Sequence, residues 1–304
     1  MRYAAWMVAA VLGGVAAAAD QLPENTNEIK TLTAEQAKAL AERKGELYLN
    51  GLTTLSDEAA KELAQHGNDL HLNGLTTLSE EAAKALAKNK GGLYLNGLTT
   101  LSDGAVRALV PTKGGLNDNE FVLSLNGLTE LSGEAAKALG QQQKGPLHLS
   151  GLTTLSEETA KALAKHTGPS NFNPALYLDG LTTLSNEVAK ALTQHKGPLV
   201  LRGLTTLPNE TAKVLAQHAG QSQSVAGLDL DGVTTLSDDT AKTLAQHKGW
   251  LSLNGLTTLS DDAAKALAQH EGLLCLEGLT TLSEEAAKAL RASRKASLPD
   301  RFKP

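Results

Sequence analysis

The chain has 304 residues, a formal net charge of −5 from 28 basic and 33 acidic residues, and a single cysteine. Charges of both signs interleave along it, so no stretch forms the basic footprint that nucleic acid requires, and the lone Cys275 excludes an internal disulfide framework. Aromatic residues make up only 3 %, so any core has to be built from leucine and alanine.

Residues 1–19 have the three parts of a secretory signal: positive charge at Arg2, an apolar run from Ala4 to Val15, and small residues at Ala17, Ala18 and Ala19. Cleavage before Asp20 is expected, giving an exported product that is periplasmic, cell-surface or secreted. No later segment approaches the ~20 apolar residues of a membrane span. Residues 20–46 contain "IKTLTAEQAKALAERKG", from Ile29 to Gly45, which matches the second half of the repeat that follows. They are expected to form a helical N-terminal cap without a strand.

From residue 47 to 292 one unit is written ten times, with its first leucine at Leu47, Leu70, Leu93, Leu123, Leu147, Leu176, Leu199, Leu228, Leu251 and Leu274. The commonest spacing is 23 residues, the kind of period that marks a solenoid. Within a unit, Leu47 and Leu49 alternate with Tyr48 and Asn50, which predicts a short strand with leucines on one face. Leu52 and Leu55 follow in a turn that is expected to keep pointing inward. Ser56 then predicts a helix N-cap, with Asp57 and Glu58 placed to favour the positive end of the helix dipole. Ala59, Ala60, Leu63 and Ala64 should form the buried helix face, and Gly67 is expected to end the helix in a left-handed conformation.

The pattern "LxLxGLTTLSDEAAKALAxH" resembles the leucine-rich repeat, most closely its ribonuclease-inhibitor-like and cysteine-containing subclasses. Leu52 and its equivalents, with Val233 in one copy, stand at the subclass cysteine, and Leu55, Ser56 and Asp57 fall on its I-T-D. The resemblance implies an α/β solenoid, a right-handed horseshoe with a parallel β-sheet on the concave side and short α-helices on the convex side. Such proteins mostly bind other macromolecules.

Variable columns are where a binding site should show. The two outward strand positions bring together Tyr48, Asn50, His71, Asn73, Tyr94, Asn96, His148, Tyr177, Asp179 and Arg202, candidate contacts for a protein or glycan partner. An alternative is open: tyrosine as a good strand residue, and asparagine stacking on asparagine. Three insertions between helix and strand, from Gly114, Thr167 and Ala219, are expected to share one rim and carry Phe121 and Phe172. They read either as contact loops or as tolerated loops in a duplicated two-repeat block.

His66, His166, His195, His218, His247 and His270 share one position near the helix end. Repeat-related side chains run parallel rather than converging on a metal, so they are expected to act as cations at the negative helix end. Paired threonines such as Thr53-Thr54 sit in the turn, where hydroxyls serve the backbone. With no phosphate loop, nucleophile elbow or isolated carboxylate pair, neither catalysis nor a cofactor or metal is expected. Cys275, read as lying on the last strand, either remains a thiol or pairs with a second chain to give a homodimer. Residues 293–304 form a basic tail in which Pro299 is expected to guard the sheet edge. The leading expectation is an exported, non-enzymatic recognition scaffold. Its rival is a structural protein of the cell envelope that associates with itself.

Overall fold

The computed structural model describes residues 22–110, 122–141, 145–166, 174–218 and 227–303. The expected leader, Phe121 and Phe172 lie outside the described residues. The chain divides into two compact units after Thr129.

In the first unit, strands β1 (Leu47–Tyr48), β2 (Leu70–His71), β3 (Leu93–Tyr94) and β4 (Leu123–Ser124) pair in parallel, each repeat's first leucine opposite the next. Helices Ala34–Ala41, Asp57–Leu63, Glu80–Leu86 and Asp103–Leu109 alternate with them. The second unit has β5 (Leu147–His148), β6 (Leu176–Tyr177), β7 (Leu199–Val200), β8 (Gly227–Asp229), β9 (Trp250–Ser252), β10 (Leu274–Cys275) and β11 (Ala296–Ser297) in the same parallel register. Seven helices, from Gly133–Gly140 to Glu284–Ala292, alternate with these strands. Each unit is therefore an α/β solenoid of the leucine-rich-repeat class, sheet on one face and helices on the other.

Leucines supply the core. Leu47, Leu49, Leu52 and Leu63 of the first repeat are all buried, and so are Ala59, Ala60 and Ala64. Alanine lets each helix lie close to the strands, because no longer side chain stands between the two backbones. Leu55 is only half-buried, contrary to the inward turn expected of it; at this position only Leu207 and Leu259 are buried among the described residues. The exposed threonine pair before it leads the chain outward over the turn.

Serine hydroxyls start the helices as expected. Ser56 accepts from Ala59 N–H at 3.2 Å and Ser79 from Ala82 N–H at 2.9 Å. Ser79 also donates to Asp57 Oδ1 of the preceding helix at 2.5 Å, so the cap ties two repeats together. In one helix Pro208 takes the cap place and makes no side-chain bond.

What sets the distance between repeats is glycine. A Cβ on Gly74 would lie 2.2 Å from the Asn50 carbonyl oxygen, and one on Gly97 2.2 Å from that of Asn73. In the second unit Gly203 and Gly255 meet the carbonyls of Asp179 and Asp231 at 2.1 and 2.0 Å. These glycines serve close approach of backbones.

Gly67 has no such neighbour, nor is it left-handed; the only positive-φ glycines among the described residues are Gly45 and Gly145. After Leu63 the chain closes by a bond from His66 N–H to Leu63 O at 2.9 Å. That turn continues into the next strand without a reversal.

Both ends carry features beyond the repeat pattern. Residues Thr26–Glu28 make a 3-10 turn in which Asn27 occupies the place of a strand asparagine, accepting the Asn50 N–H at 3.0 Å. At the other end the basic tail adds a strand, for Leu274 and Leu276 donate to the Lys295 and Ser297 carbonyls at 3.0 and 2.9 Å. Cys275 consequently lies on the penultimate strand. Pro299 follows β11 and opens the 3-10 turn Asp300–Phe302, and Arg291 Nε holds the Phe302 carbonyl at 2.9 Å.

Gly74→Ala is expected to lower unfolding free energy by about 1–3 kcal/mol, because a backbone cannot yield as a side chain can. Gly67→Ala, in open space at an ordinary φ, should be neutral or slightly stabilising. Urea denaturation of the two variants checks the contrast.

Candidate functional site

The second outward column is a hydrogen-bonded ladder. In the first unit Asn73, Asn96 and Asn126 donate their backbone N–H to the side-chain oxygens of Asn50, Asn73 and Asn96, at 3.1, 3.0 and 2.9 Å. With Asn27 at its foot, the ladder pairs an amide in each repeat that the two-residue strands leave unserved. Asn50, Asn73 and Asn96 thus spend their oxygens on the scaffold. Serine from the first column joins in, Ser124 Oγ donating to Asn96 Oδ1 at 2.7 Å.

The second unit keeps this device with carboxylates. Asp179 Oδ1 accepts Arg202 N–H at 3.2 Å, Asp231 Oδ1 accepts Asn254 N–H at 2.9 Å, and Asn254 accepts Glu277 N–H at 2.8 Å. Arg202 cannot accept, so it breaks the series. Asp229, in the neighbouring column, repairs it: Oδ1 accepts Asp231 N–H at 3.1 Å, while Oδ2 receives Arg202 Nε and Nη2 at 2.9 and 2.8 Å. The pair raises the Arg202 pKa, yet Asp229 also sits above the usual carboxylate range. Burial decides the second shift, because the Asp229 side chain is 1 % exposed against 51 % for Arg202.

The first outward column carries stacked rings. Tyr48 lies on His71 and His71 on Tyr94, with centroids 4.2 Å apart in both pairs and planes within 11° and 9°. Two carboxylates edge the row. The Tyr48 hydroxyl donates to Glu46, His71 Nε2 stands 3.5 Å from the same carboxylate, and the Tyr94 hydroxyl is 3.4 Å from Asp69. Glu46 and Asp69 each precede a strand leucine, a position outside both columns, which is why column reading missed them. In the second unit His148 stacks on Tyr177 at 4.0 Å, and burial lowers the His148 pKa despite nearby Asp179. Ser150 donates to Asp179 Oδ2 at 3.0 Å. Sequence-nominated residues therefore fall into two rows within the first unit, with a second set in the other unit.

The six helix-end histidines are buried, between 0 and 4 % exposed. His66, His166, His195, His218 and His270 each place Nε2 on a backbone carbonyl 21 residues earlier, at 2.8–3.0 Å. Rings in the second unit stack in parallel, with centroids 5.9 Å apart for His166 and His195, 6.3 Å for His218 and His247, and 6.1 Å for His247 and His270. Burial pushes His195 down to about 3 and His247 down to about 4, and lowers His218 and His270 as well. For these four the expectation of helix-end cations is overturned, because removing the ring from water outweighs the helix dipole. No group of three His, Cys, Asp or Glu among the described residues could hold a metal ion, and no described helix is long and apolar enough to cross a membrane. On the strand face of the second unit, Trp250 Nε1 donates to Cys275 Sγ at 3.1 Å.

No family model matches the chain, and no curated protein matches it. Among solved structures it is similar to yeast Rad7 in its complex with Elc1, with 17 % identity, 98 % of this chain and 83 % of that one covered, and a TM-score of 0.54. A leucine-rich-repeat protein of Leptospira interrogans matches at 20 % identity over 90 % and 78 %, TM-score 0.41. An internalin of Listeria monocytogenes matches at 15 % identity over 95 % and 93 %, TM-score 0.38. The Rad7 likeness bears on fold alone, and agrees with the leucine-rich-repeat solenoid described above.

The buried imidazoles fix a pH dependence. Unfolded histidines bind protons below about 6.5 while folded His195 and His247 stay neutral, so the unfolded state holds more protons and stability falls as pH drops from 6.5 towards 4. Each such histidine contributes up to about 1.4 kcal/mol per pH unit in that window. Asn89 takes the same place in one repeat and donates to the Asn68 carbonyl at 3.2 Å. Combined His195→Asn and His247→Asn should therefore flatten the difference between denaturant titrations at pH 7 and pH 5.

For the repaired rung, Arg202→Asn alone should cost about 1–3 kcal/mol by leaving Asp229 buried without its cation. Adding Asp229→Ser should recover most of it. A double-mutant cycle on urea midpoints measures the coupling.

Proposed function

We propose that this chain is a recognition scaffold that binds a protein partner on its strand face, the role that the sequence reading also allowed for a glycan. The stacked row Tyr48, His71 and Tyr94 between Glu46 and Asp69 carries the proposal. The asparagine column is accounted for by backbone pairing, whereas the backbone makes no demand for aromatic rings in the other column. Tyrosine suits recognition, offering apolar area with few rotors and a polar tip. Rad7, which shares the fold, is solved with a partner protein bound; that supports the reading by fold analogy only. On this reading the chain is non-enzymatic and is exported by its leader, and its units are short members of the ribonuclease-inhibitor-like or cysteine-containing kind.

Replacing Tyr48, Tyr94 and Tyr177 together by Ser should abolish retention of a partner captured by the parent protein from envelope extract, with circular dichroism unchanged. Retention of the same partner by the folded variant would remove the strand face from consideration. The rival, self-association through Cys275, predicts a dimer in non-reducing sedimentation that reverts on reduction.

A further inference from the structure

The row of rings in the first unit is unfinished. His71 has a ring on each face, Tyr48 on one side and Tyr94 on the other, whereas Tyr48 is covered on one face only and remains 42 % exposed. One 23-residue step before Tyr48 stands Asn25. Its side chain is turned into the 3-10 turn, where Oδ1 accepts Asn27 N–H at 3.2 Å and Nδ2 donates to Glu28 at 3.2 Å. Thr26, its neighbour, donates its hydroxyl to the Tyr48 carbonyl, well away from the ring. Among the described residues no ring continues the stack beyond Tyr48.

The surroundings of that ring are negative. Glu46 holds the Tyr48 hydroxyl, is 52 % exposed along its side chain, and makes no hydrogen bond through Oε1 among the described residues. Asp69 adds its charge from the next repeat, and the Glu46 hydrogen bond, helped by the charge of both carboxylates, raises the Tyr48 phenol pKa. An aromatic face is itself negative at its centre. Together these features call for a flat cation that can lie parallel to the ring and reach a carboxylate at its edge.

We propose that the uncovered face of Tyr48 is a docking point for an arginine side chain of a protein partner, with Glu46 as its counter-ion. The proposal rests on the strand-face reading and gives it chemistry. A guanidinium is planar, weakly hydrated and able to stack while donating sideways, so it would extend the existing pile in the same plane. Lysine offers a point charge without the plane. Citrulline has the plane without the charge.

The test uses nuclear magnetic resonance of the purified protein with labelled tyrosine, whose three residues after the leader, Tyr48, Tyr94 and Tyr177, give a simple ring spectrum. Acetyl-Gly-Arg-Gly-amide is titrated to tens of millimolar, beside its lysine and citrulline counterparts. Expected are saturable shifts of the Tyr48 ring with the arginine peptide, a weaker response to lysine and none to citrulline. Glu46→Gln, which leaves the ring in place, should weaken binding about fivefold. A silent Tyr48 ring, or equal response to citrulline, would overturn the arginine site. So would that silence alongside a partner still lost on triple-tyrosine substitution, an outcome in which the strand-face reading survives and this one does not.

Discussion

Asn50, Asn73 and Asn96 in the first unit, and Asp179, Asp231 and Asn254 in the second, each lend a side-chain oxygen to the backbone of the next repeat, at a spacing that glycine permits. With strands of two or three residues, a sheet of this kind has few ladder bonds per repeat. The next N–H along would be left unpaired beside a buried leucine, at a cost of about 1–3 kcal/mol. Asn50, Asn73 and Asn96 remove that cost, and the glycine after each lets the backbones come close enough for the bond to form. Leucine packing, alanine-faced helices and serine caps all assume this separation.

The same constraint explains how the pattern is rewritten at Arg202. Arg202 takes away an acceptor, and Asp229 restores it from the adjacent column while also neutralising the arginine. Neither substitution makes sense alone. Their pairing shows that the ladder is a requirement of the backbone, because the molecule meets it with a buried carboxylate where it cannot with asparagine. Rows outside the ladder are the ones left open to function, and the ring row of the first unit is the clearest of these.

Much of the fold was legible because repetition averages out accident. The alternation at Leu47 and Leu49, the serine before Asp57 and the alanine face of the helix each recur with the unit, and each names its own physical cause. Roles that depend on what lies one repeat away were not legible. An asparagine column reads the same in sequence whether its oxygens face a partner or a backbone amide, and the bonds of Asn50 and Asn73 to the next repeat show only in the structure. Gly67 and Gly74 look alike in sequence, yet only Gly74 meets a carbonyl. His195 and His247 read as cations in sequence because helix position is visible there and depth of burial is not. Asn27 could have been found, since it lies one 23-residue step before Asn50.

Native-state hydrogen exchange of the first unit tests the ladder most directly. If side-chain oxygens hold the backbone as described, the amides of Asn73, Asn96 and Asn126 will be protected to the same degree as those of Leu72 and Leu95, which pair between strands. Exchange of the asparagine amides at the rate of an open loop, with the leucine amides still protected, would contradict the account.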